Sequence, residues 1–174
     1  MGGVFSTAGT PSISRARNKI STLWIIGRKG IPLSEALFEI DSDTFYTMDT
    51  NILIQEYSVE SNGEDIRILV VGNKMEASLK RTCWAGEFRS NVHHGGSTEA
   101  IVRSKNSEFI ALEANKHIGL AVAGVDLIRS KKGPLLIEVN ASPGLQGMEK
   151  ATGGYIAKEI VMFLERNRRR RKSR

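Results

Sequence analysis

Asp126, Glu138 and Asn140 are three hard oxygen donors embedded in apolar sequence. Asp126 sits between Val122-Ala123-Gly124-Val125 and Leu127-Ile128, and Glu138 follows Leu135-Leu136-Ile137. Two such runs flanking Lys131-Lys132-Gly133 read as a β-hairpin. With residues 131–133 as the loop, Ser130 faces Pro134 and Asp126 lies directly opposite Glu138. Asn140, at i+2 from Glu138, emerges on the same sheet face. Opposed carboxylates repel one another and call for a cation. Two carboxylates and an amide oxygen suit Mg²⁺ or Mn²⁺, with water or phosphate oxygens filling the other positions. The competing reading is a solvent-facing polar stripe. Acids set inside apolar strands are usually paired or metal-bound, which favours the metal. Register decides the matter, because a loop one residue longer or shorter puts the acids on opposite faces.

A second hairpin, Asp65–Val71 with Met75–Arg81, turns at Gly72-Asn73-Lys74 and sets Asp65 opposite Arg81. The pair is either an ordinary cross-strand salt bridge or a brace holding Arg81, beside Lys80, toward an anionic ligand. Residues 83–100 form a long polar loop. Within it Arg89, Asn91 and Gly95-Gly96 supply a guanidinium, an amide and flexible backbone N–H groups. Those are the parts of a phosphate clamp, or of a merely mobile loop. His93 and His94 are adjacent, a poor spacing for joint metal ligation, and Cys83-Trp84 has no identifiable base beside it.

These residues need elements to position them. A helix is expected from Ser12 or Ser14 to about Lys29, stopped by Gly30 and Pro32. A short helix is expected near Glu35–Glu39, and Ile52–Tyr57 reads as a buried strand before a Ser61-Asn62-Gly63 turn. A helix capped by Asn106 or Ser107 runs to about Ile118, with Phe109, Leu112 and Ala114 on its buried side. Ala141–Gly147 reads as a loop, and a last helix runs from about Gly153 with Ile156, Ile160, Phe163 and Leu164 as its stripe. The order predicts an α+β fold with a mainly antiparallel sheet and flanking helices.

Composition bounds the rest. The chain has 174 residues and a formal net charge of +6. Six Arg and one Lys fall in residues 166–174 with no acid, so the body is nearly neutral and the basicity is a tail. That tail reads as a solvated helix end or as a salt-sensitive contact for RNA or another anionic surface. No run approaches the roughly 20 apolar residues of a membrane span. The single cysteine, Cys83, excludes an intrachain disulfide and points to a reducing, cytoplasmic setting.

Several ordered motifs together resemble the RimK-type ATP-grasp ligases. They are Gly86-Glu87-Phe88-Arg89-Ser90-Asn91-Val92-His93-His94-Gly95-Gly96, then Ala123-Gly124-Val125-Asp126, then Glu138-Val139-Asn140-Ala141-Ser142-Pro143-Gly144-Leu145. The similarity runs from about Ile52 to Arg166, with an earlier match from Ile13-Ser14-Arg15-Ala16-Arg17-Asn18-Lys19 through Pro32. It implies the large lobe of an ATP-grasp fold and a ligase that joins a carboxylate to an amine through an acyl phosphate. Asp126, Glu138 and Asn140 would hold Mg²⁺ or Mn²⁺. Glu56, Tyr57, Ser58 and Val59 would form the hinge against adenine, and Asp65 would contact the ribose side. Lys19 would reach phosphate, and Arg89 would steady phosphate or the acyl phosphate, helped by Arg81 and Asn91. The resemblance makes the partners ATP, L-glutamate or a related amino acid, and a protein or peptide acceptor such as a ribosomal protein. RNA contact through the tail and self-association are further openings, and no membrane partner is expected.

The sequence also departs from that family. Members carry a further α/β domain ahead of this region. Between about Ile40 and Asn51 they carry the strands of a small ATP lobe, a glycine-rich flap and a second phosphate-binding lysine. Here no Lys lies between Gly30 and Lys74, and Val59 stands where relatives commonly have Lys. The expected organisation is a small-lobe remnant over 1–50, a catalytic lobe over 51–165 and a basic tail over 166–174. Two alternatives to a working ligase stay open: an inactive remnant of one, and an RNA- or ribosome-binding module.

Overall fold

A computed structural model of the chain describes residues 7–34, 36–37, 54–55, 59–82, 97–102 and 104–172. Two helices open it, α1 (Thr10–Arg17) and α2 (Lys19–Gly27). Two short strands follow, β1 (Ala36–Leu37) and β2 (Ile54–Gln55), paired antiparallel. After a 3-10 turn at Val59–Ser61 come β3 (Glu64–Val71), β4 (Lys74–Thr82) and β5 (Ser97–Ala100). Next are α3 (Lys105–Ile118), β6 (Val122–Ser130), β7 (Gly133–Asn140), α4 (Gln146–Thr152) and α5 (Ile156–Lys172). The main sheet has the order β5-β4-β3-β6-β7, every pair antiparallel. The expected α+β class holds.

The sheet is covered on both faces, unequally. On one face Ile66, Ile68, Val70, Val125, Leu127 and Val139 pack with Leu23, Ile26, Ala111, Ala114 and Ile118 into the larger core. On the other, Leu69, Val71, Ala77, Leu79 and Val122 meet Met148 and Ile156, with Ile160 and Phe163 beside them. Alternation along β3 and β6 assigns these faces. It also puts Asp65, Arg67 and Asp126 on the α4/α5 face, beyond the apolar patch. Phe163 seats its ring against Gly72, whose φ is +63°. A side chain there would both strain the turn and strike the ring.

Several expectations are corrected. The single N-terminal helix is two, because Asn18 takes an extended conformation and caps α2, its Oδ1 accepting from the Ser21 N–H at 2.9 Å. Ala36–Leu37 is a strand instead of part of a short helix, and Ser97–Ala100, expected to end a long polar loop, is β5, paired along β4. The cap of α3 is Ser104, accepting from the Ser107 N–H, and Phe109 is 62% exposed instead of buried. The stretch read as a loop to Gly147 already turns into α4 at Gln146, where Met148 enters the core.

Both hairpin turns are one residue tighter than expected. Val71 pairs Lys74 across Gly72-Asn73, and Ser130 pairs Gly133 across Lys131-Lys132. Each second strand then carries one unpaired residue, Glu76 in β4 and Ile137 in β7, where the register shifts. These β-bulges restore the parity that the short turns would have lost. Asp65 therefore still faces Arg81, and Asp126 still faces Glu138.

Candidate functional site

The hairpins meet side by side, since β3 pairs with β6 and Arg67 lies opposite Asp126. Four side chains then form one alternating chain of charge. Arg81 grips Asp65 with two hydrogen bonds, Nε to Oδ1 and Nη2 to Oδ2, both 2.6 Å. The same Nη2 donates to Asp126 Oδ2 at 3.0 Å. Arg67 grips Asp126 from the other side, Nε to Oδ1 at 2.7 Å and Nη2 to Oδ2 at 2.6 Å. Asp65, Arg81 and Asp126 are buried, at 6%, 8% and 4% exposed. Bidentate guanidinium–carboxylate geometry is the arrangement that makes burial of such ions tolerable. Desolvation, the largest single influence on Arg81, lowers its pKa. The hydrogen bond to Asp65 and the charges of Asp126 and Asp65 outweigh it, and the net shift is upward.

Glu138 stands opposite Asp126, half-buried, and makes no hydrogen bond or ion pair with another described residue. Asn140 is on the same face, opposite Gly124. Its Oδ1 accepts the Ser142 N–H at 2.8 Å, which turns the chain after β7 back over the sheet. Pro143 then lies so close above Gly124 that any Cβ would meet it at 2.9 Å. Lys19, the first residue of α2, brings its ammonium into the field of the two acids. Burial pulls its pKa down, opposed by the charges of Glu138 and Asp126, and the net shift is downward.

The residues present fit a divalent cation. Among the described residues the Glu138 carboxylate has no hydrogen-bond or ion-pair partner, and Asn140 Oδ1 keeps one lone pair. Asp126 has one acceptor position left after its three guanidinium bonds. Among the described residues no group of three or more His, Cys, Asp or Glu side chains closes on one point, and Asn140 supplies a further oxygen donor on this face. The expectation that Asp126 needs a cation is thus met partly from within the protein, by Arg67 and Arg81. Of the other expected site residues, Lys19, Asp65 and Arg81 are brought to this cluster. Val59 begins the 3-10 turn ahead of β3. Glu56, Tyr57, Ser58, Arg89 and Asn91 lie outside the described residues, as do Cys83-Trp84, His93-His94 and Gly95-Gly96.

Arg67 was not singled out in the sequence. Its period-two relation to Asp65 was visible in Asp65-Ile66-Arg67, but its pairing with Asp126 depends on β3 lying beside β6, which no local pattern announces.

A family model described as the RimK-like ATP-grasp domain matches residues 34–164. The chain belongs to that family. It is similar to a probable alpha-L-glutamate ligase of Picosynechococcus sp., 39% identical over 208 residues, covering 96% of this chain and 69% of the relative. It is also similar to a probable alpha-L-glutamate ligase of Aeromonas salmonicida, 52% identical over 123 residues, covering 71% of this chain and 41% of that one. A probable alpha-L-glutamate ligase 1 of Shewanella frigidimarina is 47% identical over 140 residues, 79% of this chain and 46% of the relative. The chain therefore spans between about two-fifths and two-thirds of these relatives' lengths. The 208 aligned positions with the first exceed the 174 residues of this chain, so at least 34 of them face gaps in it.

Solved structures agree on the fold. D-alanine–D-alanine ligase from Bacillus anthracis complexed with ATP superposes with a TM-score of 0.69 at 15% identity, over 94% of this chain and 71% of that one. The ATP-grasp ligase PsnB, complexed with a phosphomimetic variant of its minimal precursor, Mg and ADP, gives 0.67 at 16% identity, over 91% and 61%. No helix among the described residues is long and apolar enough to cross a membrane.

Proposed function

We propose that this chain carries the catalytic lobe of an ATP-dependent carboxylate–amine ligase that adds L-glutamate to the C-terminus of a protein or peptide. The observation that carries the reading is the directly opposed pair Asp126 and Glu138, with Asn140 on the same face, in a RimK-like ATP-grasp domain. The relatives' printed names support glutamate as the amino acid. In such a reaction a carboxylate oxygen takes the γ-phosphoryl group as its bond to ADP breaks. The amine nitrogen then bonds the carbonyl carbon, phosphate leaves, and the nitrogen releases a proton.

Glu138, Asn140 and the remaining acceptor position of Asp126 would hold Mg²⁺ or Mn²⁺, which when bound neutralises polyphosphate charge. Lys19, at the start of α2, is placed to pair with a phosphate oxygen. Arg81 is held in position by both oxygens of Asp65, and Asp65 would also contact the ribose side, as the family resemblance implies. Arg67 fixes Asp126 in orientation through its two hydrogen bonds. The hinge at Glu56–Val59 and the Arg89/Asn91 loop complete the reading by family resemblance. We place the protein in the cytoplasm on its single cysteine.

The test is ADP release by the purified chain with Mg²⁺, ATP, L-glutamate and peptide acceptors. Release requiring both amino acid and acceptor, and lost in Glu138→Gln, is expected. Its absence across acceptors would leave the second reading, a remnant that has lost catalysis, which the gaps against longer relatives favour. The basic continuation of α5 adds a proposal of its own, contact with RNA on a ribosomal acceptor. Such contact should weaken steeply between low and physiological salt and vanish when residues 166–174 are deleted.

A further inference from the structure

On the corner where α1 turns into α2 lies an open, solvent-facing cavity of about 490 Å³. Thr10, Ile13, Ser14, Arg17, Lys19 and Ile20 line it with Asn18. The size suits a small metabolite. Its chemistry is one-sided: two cations, two hydroxyls and two branched apolar side chains, and no acid among the described lining residues. The charges of Glu138 and Asp126 reach Lys19, although burial outweighs them. Arg17 makes no hydrogen bond or ion pair with another described residue, although the last turn of α1 holds it at the cavity wall.

Resting on the ligase reading above, we infer that this cavity is the subsite for the side chain of the acidic amino acid, with Arg17 as the residue that selects a carboxylate there. The ligand class is a short dicarboxylic amino acid. Its terminal carboxylate pairs with the Arg17 guanidinium in a bidentate bond, the geometry that distinguishes a carboxylate from an amide. Its methylenes lie against Ile13 and Ile20, and the Ser14 and Thr10 hydroxyls complete the polar contacts. Lys19 lines this cavity and lies within the field of Glu138 and Asp126, which puts the other end of an amino acid seated here toward the reacting groups. Arg17 thus acts on specificity, while Lys19 serves the phosphate side.

Calorimetric titration of L-glutamate into the full chain, with Mg²⁺ and a non-hydrolysable ATP analogue present, tests this without requiring turnover. Arg17→Gln should weaken L-glutamate by roughly 10- to 100-fold, the worth of a charge-assisted hydrogen bond. It should leave the ATP analogue unchanged and reduce the preference for L-glutamate over L-glutamine. Arg17→Lys should recover part of the affinity. Ser14→Ala, a gentler variant, should weaken L-glutamate by about threefold to tenfold, as loss of a neutral hydrogen bond does. Unaltered L-glutamate affinity in Arg17→Gln would overturn the assignment. So would loss of the ATP analogue in its place, which would make Arg17 a phosphate contact, or no saturable L-glutamate binding by the wild-type chain. Failure of the ligase reading looks different: L-glutamate binds and depends on Arg17, yet no acceptor yields ADP.

Discussion

The two hairpins β3–β4 and β6–β7 are built by the same device and end in opposite electrostatic states. Each has a two-residue turn and a single bulged residue on its returning strand. In the first, the bulge lies next to the turn, several pairs away from Asp65 and Arg81. In the second, it lies immediately beside Asp126, where bulges commonly re-aim a functional side chain. The first hairpin opposes charges of unlike sign and satisfies them internally with two short hydrogen bonds. The second opposes two carboxylates, and among the described residues only Asp126 finds guanidiniums, both from the neighbouring hairpin. Among the described residues Glu138 is left with the field of Lys19. One hairpin is a brace, and the other holds charge that a ligand can complete.

The sharpest way to break the comparison is to remove a charge from each side of the Asp126–Glu138 pair. Asp126→Ala leaves Arg67 and buried Arg81 short of a partner, and should cost about 3–5 kcal/mol in denaturant unfolding. Glu138→Gln removes a repulsion and should leave stability within about 0.5 kcal/mol of wild type, or raise it. Mg²⁺-dependent nucleotide binding should be lost in both. If Glu138→Gln proves as destabilising as Asp126→Ala, the two acids are equivalent structural groups and the contrast fails.

A smaller effect sharpens the account of the brace. Arg81→Met should cost about 3–5 kcal/mol because Asp65 keeps a buried charge, whereas Asp65→Leu with Arg81→Met should recover most of that loss. Asp126 keeps Arg67 in the double variant. Urea titrations of the single and double variants measure the coupling, and simple additivity would show that the pair does not act as a unit.

The smallest effect concerns pH. Lys19 has a folded-state pKa below 10.5. The unfolded chain thus binds its proton more tightly, and this lysine is a penalty to the fold that is fully present at neutral pH. The penalty shrinks as pH rises through the folded value toward 10.5. Lys19→Met should therefore be slightly more stable than wild type at pH 7, by a few tenths of a kcal/mol given its solvent exposure. The advantage should narrow on going to alkaline pH. An advantage that grows with pH would mean Lys19 gains more from the acids than it loses on burial.

The outcome at the register shows what could be read locally and why it was nearly misread. Asp65 opposite Arg81 and Asp126 opposite Glu138 followed from assuming three-residue loops, and both pairings hold. They hold through shorter turns plus the Glu76 and Ile137 bulges, because burial of one sheet face enforces parity whatever the turn does. Asn18 misled in the other direction. Its apolar neighbours continue a helical spacing, yet its side chain caps more effectively than it propagates. Gln146–Thr152 was missed because the Ser/Pro/Gly loop before it hides a helix only seven residues long, which tertiary packing of Met148 stabilises.

By itself the sequence determined the oxygen donors, their strands, the family and the basic tail, since period-two alternation, turn residues and ordered motifs are all local. The neighbour relation of β3 and β6 was decided only in three dimensions, and with it the guanidinium clamp of Arg67 and Arg81 on Asp126. The same holds for the approach of Lys19 to Glu138 and the cavity beside Arg17. The physical reason is that charge pairing and desolvation depend on distance through space. Arg67 and Asp126, far apart in sequence, meet at 2.6 Å because an apolar core on the far side of the sheet fixes the order of its strands.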